Sequence, residues 1–147
     1  MENMAVLKQI ALFEGLDSLE LIQVSKLVKN RHFAKDDLVI REGDVGTSLF
    51  AVKSGEFRAF IGQGLNAAEL AQFKHGDSFG ELALIDHAPR SASVEALTDG
   101  ELLEFDKKAF ETLLAYSEDM RSKLYRNLVT DLAAKLRRTN DSLAMLL

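Results

Sequence analysis

Apolar residues Val6, Leu7, Ile10 and Phe13 fall on one face of a helix and Gly15 closes the run, so the pattern predicts a short helix over residues 5–13. Asp17 and Glu20 have the spacing of a capping box, which predicts a second helix reaching Leu27 or Val28 with Leu19, Ile22 and Leu27 turned inward. From Arg31 to Asp106 the texture changes to short β-type runs at residues 38–40, 49–53, 56–61, 70–73, 91–97 and 102–105. Turn signals separate them: Gly43-Asp44, Ser54-Gly55, residues 62–66, Gly76-Asp77 and Asp99-Gly100. Strands this short and closely spaced, without long helices between them, favour an antiparallel barrel or jelly roll over a parallel sheet. From Lys107 the helical period returns, first over residues 107–115 and then, after a break near Ser117, from Glu118 to about Arg138. Met120, Leu124, Leu128, Leu132 and Leu136 recur every four residues, with Tyr125, Val129 and Ala133 beside them, so this last helix has something to cover. The chain shows no internal repeat and no low-complexity tract.

A chain of 147 residues, about half of them apolar, can bury one substantial core and is short for two. We therefore read residues 1–30 (N-terminal helices), 31–106 (β core) and 107–147 (C-terminal helices) as parts of one domain. No apolar run is long enough to span a membrane, and Glu2, Asn3, Lys8 and Gln9 interrupt any leader-like stretch, so the expected location is cytoplasmic. The absence of cysteine removes disulfides, thiol nucleophiles and zinc-thiolate sites. A net charge of -5 argues against attraction of the whole surface to nucleic acid or acidic membranes, so any anion site must be built locally.

The segment that can build one is Phe79-Gly80-Glu81-Leu82-Ala83-Leu84 followed by Pro89-Arg90-Ser91-Ala92-Ser93-Val94. Gly80 allows backbone to approach a ligand closely, and residues 81–84 can form a single helical turn whose amides face an anion. Arg90 adds a planar cation, Ser91 a hydroxyl, and Glu81 a carboxylate able to accept a bond from a sugar hydroxyl. Taken singly, an arginine or glutamate is most often a solvated surface charge, and a Phe-Gly pair a packing detail at a strand end. Together they suit a ribose cyclic phosphate.

The combination resembles the phosphate-binding cassette of the cyclic nucleotide-binding domain family, to which catabolite activator protein and the regulatory subunits of cAMP- and cGMP-dependent kinases belong. Arg41-Glu42-Gly43-Asp44, residues 49–56 and Gly76-Asp77 extend the resemblance, which covers roughly residues 7–138. It implies a mainly β fold: an eight-stranded antiparallel β jelly roll with N-terminal helices, then a short and a long C-terminal helix. Carried over by position, Glu81 would hold the ribose 2′-hydroxyl and Arg90 and Ser91 the phosphate, with the amides of Ala83 and Ala92 as further donors. Gly80 and Leu82 would line the same site. Ala59, Leu70 and Phe73 would form an apolar wall for sugar or base, and Leu128, Asp131, Leu132 and Lys135 would lie on the helix face nearest the base.

The implied activity is that of a sensor, not an enzyme, with cAMP favoured over cGMP as ligand, no cofactor, and a signal carried by the C-terminal helix to a protein effector that the sequence does not identify. A carboxylate at Asp131 reading guanine's paired donors would reverse that preference; the plainer reading is an Asp131–Lys135 surface ion pair. A jelly-roll metalloenzyme is disfavoured because His32, His75 and His87 are too far apart in the chain to form a ligand pair, so no metal is expected. Ser91 has no histidine arranged to activate it. The family's transcription factors carry a helix-turn-helix after the long helix, and the ten or so residues after Arg138 leave no room for one, so no DNA-binding domain is expected. Another alternative is a ligand-free interaction module of the same fold, against which Glu81, Arg90 and Ser91 argue. The apolar stripe of the last helix serves as a lid, as a homodimer seam, or both; a spacing of four suits only a short seam.

Overall fold

In strand β3 (Ser48–Ser54) alternate side chains part to opposite sides: Leu49 and Ala51 join one apolar cluster, Phe50 and Val52 another. Strand β8 (Gly100–Asp106) does the same, with Leu103 and Phe105 on one side and Leu102 on the other. These two strands are buried on both faces, and the two clusters they separate are the helix-side core and the barrel interior. The computed structural model describes residues 3–146; Met1, Glu2 and Leu147, assigned above to the terminal helical regions, lie outside the described residues.

Six further strands complete two antiparallel four-stranded sheets: β1 (Lys29–Phe33), β2 (Leu38–Ile40), β4 (Phe57–Ile61), β5 (Ala68–Phe73), β6 (Ser78–Phe79) and β7 (Ser93–Ala96). The sheet orders are β1-β8-β3-β6 and β2-β7-β4-β5. This is the expected jelly-roll-like architecture. Strands β1 and β6 were not among the runs read from the pattern. β1 is mostly exposed and its Lys-Asn-Arg-His sequence has no apolar alternation; pairing with β8 makes it a strand.

The helix side departs from expectation in several places. Residues 5–13 form a one-turn helix α1 (Met4–Leu7) and a separate 3-10 turn (Ala11–Phe13), because Ile10 is extended between them. Leu7, Ile10, Leu12 and Phe13 are nonetheless all buried. Helix α2 (Ser18–Ser25) starts with the expected capping box, Glu20 N–H to Asp17 Oδ1 at 2.8 Å and Asp17 N–H to Glu20 Oε1 at 2.9 Å. Its inward face is only partly the one predicted: Leu21 and Val24 are buried and Leu27, just past the helix end, packs against the helix-side core, whereas Leu19 is 68% exposed. Helix α3 (Lys107–Leu114) is capped by Asp106, which accepts the Ala109 amide at 2.8 Å. Helix α4 (Glu118–Leu146) begins after Ser117, whose Oγ accepts the Met120 amide at 3.0 Å, and runs beyond the expected Arg138. Met120, Leu124 and Leu128 enter the helix-side core, Leu132 packs at its edge, and Leu136 is exposed. Among the described residues no helix is long and apolar enough to cross a membrane.

Candidate phosphate and ribose site

The cassette is rooted by Phe79, which pairs with Phe50 across β6 and β3. Its ring stacks on Phe50 at 5.6 Å and Phe73 at 4.9 Å between centroids, inside the barrel. Gly80 follows in the left-handed region at φ 80°, where a β-carbon would lie 2.9 Å from Arg90 Nη1 and 3.0 Å from the Ser48 carbonyl. Residues Glu81–Leu84 then make one 3-10 turn, with the Ala83 amide donating to the Gly80 carbonyl at 3.1 Å. That amide, read as a ligand donor, already has a protein partner.

Arg90 is fixed at its main chain by the Gly43-Asp44 turn. Its N–H donates to the Asp44 carbonyl at 2.8 Å, and its own carbonyl accepts the Gly43 amide at 2.9 Å. The guanidinium donates from Nη2 to the Ser48 carbonyl at 2.8 Å and from Nη1 to the Gly80 carbonyl at 3.3 Å. Its other N–H groups have no partner among the described residues, so donors remain for an anion. The fork lies against Gly46 as well as Gly80: a β-carbon at Gly46 would stand 2.5 Å from Arg90 Nε. Burial holds the Arg90 pKa below its ordinary value, and the negative charges of Glu104 and Glu81 oppose that shift. Arginine's high intrinsic pKa keeps it cationic at neutral pH.

Glu81 is buried, and one of its oxygens is committed. Lys135, on α4, donates from Nζ to Glu81 Oε1 at 2.6 Å and to the Ser78 carbonyl at 2.8 Å. Asp131 Oδ2 lies 3.1 Å from the same ammonium. The Asp131–Lys135 pair expected on the surface is therefore present but partly buried, and it continues into the cassette. Glu81 Oε2 is buried with no hydrogen-bond partner among the described residues.

Gly80, Glu81, Arg90, Asp131 and Lys135 are thus brought together, with Leu128 and Leu132 on α4 packed in or against the helix-side core. Ala59 is buried and Phe73 half-buried on the barrel interior. Leu70 is 57% exposed and is the unpaired residue where the β4–β5 register shifts between Ala59 and Phe60. Leu82 and Ser91 are exposed and Ala92 is half-buried. A cleft of about 350 Å³ opens beside Arg90, lined by Ile40, Ser48, Phe50 and Glu104 among others.

Sequence reasoning placed Asp131 and Lys135 near the base but missed Lys123, Asn127 and the bond from Lys135 to Glu81. Lys123 bonds Glu20 at 2.7 Å, Asn127 donates to the Leu12 and Glu14 carbonyls at 2.8 and 2.7 Å, and Lys135 reaches the cassette. Lys123, Asn127, Asp131 and Lys135 recur every four residues beside the apolar stripe, and that periodicity was the available signal.

The family model for the cyclic nucleotide-binding domain matches residues 30–117. The chain is 37% identical to a cAMP-dependent protein kinase regulatory subunit of Hypocrea atroviridis over 78% of its own length and 24% of that protein's, so it spans about a quarter of that relative. The crystal structure of Thermus thermophilus catabolite activator protein superposes with a TM-score of 0.79 at 31% identity, covering 92% of this chain and 62% of that one. The regulatory domain of Toxoplasma gondii PKA, solved with cAMP, gives a TM-score of 0.68 at 32% identity over 74% of this chain and 42% of that one. With the family match spanning most of the jelly roll and the whole cassette, the chain belongs to the cyclic nucleotide-binding domain family.

Proposed function

We propose that this domain is a sensor that binds one cyclic nucleotide, cAMP in preference to cGMP, and passes the signal through α4 to a protein effector. The observation that carries this reading is the bare Glu81 Oε2. A buried carboxylate oxygen without a partner costs about 1–3 kcal/mol or more, and a ribose 2′-hydroxyl is the neutral donor that would satisfy it. Arg90, Gly46 and Gly80 suit the phosphate: a cationic fork with unused N–H groups, seated against two glycines whose missing β-carbons let it lie there. Ser91 and Ala92 border the same end of the cassette. Ala59 and Phe73 offer apolar surface to sugar or base, and Leu128, Asp131, Leu132 and Lys135 belong to the helix that faces it. No chemical step is assigned to any of these groups.

The preference for cAMP rests on Asp131 being engaged by Lys135 instead of standing free to read guanine. Signalling follows from Lys135. The ammonium on Oε1 and a ribose hydroxyl on Oε2 share one carboxylate, so ligand favours the docked position of α4 over an undocked one.

A second copy of this chain is the proposed partner of the exposed face of α4. Val129, Leu132, Leu136 and Leu143 follow one another at intervals of three, four and seven residues, a heptad register that shares Leu132 and Leu136 with the four-residue stripe, whose first three members enter the core. Val129, Leu136 and Leu143 are each more than half exposed.

The test of the binding reading is a comparison of cAMP with its 2′-deoxy analogue. Wild type binds the deoxy form more weakly by about 1.5–3 kcal/mol, the range for a hydrogen bond to a charged group, and Glu81→Ala closes that gap. Equal affinity of wild type for both ligands contradicts the role given to Glu81.

A further inference from the structure

One carboxylate inside the barrel is used by nothing described so far. Glu104, on β8, projects from the interior face, on the same side as Leu102, and lines the cleft that Arg90 lines. Both of its oxygens are engaged. Oε1 accepts from Arg31 Nη1 at 2.5 Å, and Oε2 accepts from Ser48 Oγ at 2.7 Å. Ser48 is buried, and its carbonyl receives the Arg90 guanidinium at 2.8 Å. Ser48 is therefore held by its hydroxyl and holds Arg90 by its carbonyl.

We propose that Glu104 is the positioning residue for Arg90: through Ser48 it fixes the carbonyl on which the guanidinium rests, and its charge faces the same cleft. The proposal rests on the reading of Arg90 as the phosphate grip. Three features of the site support it. Among the described residues the guanidinium has only main-chain carbonyls as direct partners, so its placement depends on how rigidly those carbonyls are held. Gly80 is positioned by the cassette turn, whereas Ser48 begins β3 and has Glu104 as its side-chain anchor. The negative charges of Glu104 and Glu81 both favour the cationic form of this partly buried arginine. Arg31, paired with Glu104 and set over the Phe33 ring at 5.5 Å, keeps the carboxylate turned toward Ser48.

The consequence is that a residue remote in sequence and making no bond to Arg90 controls affinity for the phosphate. The test is a double-mutant cycle read by cAMP affinity, with Glu104→Gln made in wild type and in Arg90→Lys. In wild type, Glu104→Gln is expected to weaken binding roughly tenfold, the middle of the range for residues sharing one network. In Arg90→Lys, whose point charge cannot use the forked seat, the same change is expected to cost less than about threefold. Glu104→Asp should restore part of the wild-type affinity. Ser48→Ala, which removes only the hydroxyl link, should weaken binding in the same direction and carries the test if Glu104→Gln melts without a cooperative transition. Wild-type affinity in both Glu104→Gln and Ser48→Ala overturns the proposal. So does an equal loss in the two Arg90 backgrounds, which would mean that Glu104 acts on the barrel and not on Arg90. Failure of the underlying reading appears separately, as Arg90→Ala binding cAMP like wild type.

Discussion

Glu81 carries a different assignment on each of its two oxygens, and Lys135 is what makes a buried carboxylate tolerable there. Replacing Lys135 by Met removes the cation and leaves Glu81 with no bond on either oxygen. Because Lys135 is itself a quarter exposed, the expected loss of stability is about 2–3 kcal/mol, below the full cost of breaking a deeply buried pair. Urea unfolding reads it, and the loss should shrink in a Glu81→Gln background, where no buried charge is stranded. Glu81 and Arg90 stood out in sequence because they fall, with Gly80 and Ser91, within a dozen consecutive positions. The Lys135–Glu81 bond was not, since 54 positions separate the partners and only the fold brings α4 over the cassette. Ser48 and Glu104 were equally silent: a serine at the start of one strand and a glutamate in another have no local signature.

Helix α4 divides its circumference into three uses, which explains why its sequence pattern is ambiguous when read as one stripe. Met120, Leu124 and Leu128 enter the core, Lys123 and Asn127 bind the N-terminal segment while Lys135, paired with Asp131, binds the cassette, and Val129, Leu136 and Leu143 stay exposed. The four-residue spacing noted in the sequence begins in the first use, with Met120, Leu124 and Leu128, and ends in the third, with Leu136. The heptad becomes visible once the three buried positions are set aside. Leu136→Glu puts a charge into the proposed seam without touching the core and should convert a dimer to a monomer in sedimentation equilibrium, with cooperative thermal unfolding retained. A wild-type chain that sediments as a monomer at tens of micromolar contradicts the seam. At this scale the capping box of α2 and the boundaries of α3 were legible because side chains close to their own helix ends make those bonds. β1 and β6 were not, because one is polar and the other is two residues long, and each exists only through its pairing partner.

For the whole molecule, the doubly buried β3 and β8 separate a helix-side core from a barrel interior, and the cassette crosses between them. Phe79 enters the interior, whereas Leu84, five residues later, joins the helix-side core. A ligand held by Glu81 and Arg90, as proposed, would bear on the segment that joins the two cores and that Lys135 of α4 touches. The central claim is that a cyclic nucleotide is held there by its phosphate on Arg90. Calorimetric titration of wild type and Arg90→Ala with cAMP and cGMP tests it most directly. The account predicts saturable binding of one nucleotide per chain, tighter for cAMP, and a loss of about 2–5 kcal/mol in Arg90→Ala, the range for removing one member of a buried charged pair. No binding of either nucleotide by wild type, or undiminished binding by Arg90→Ala, would contradict it.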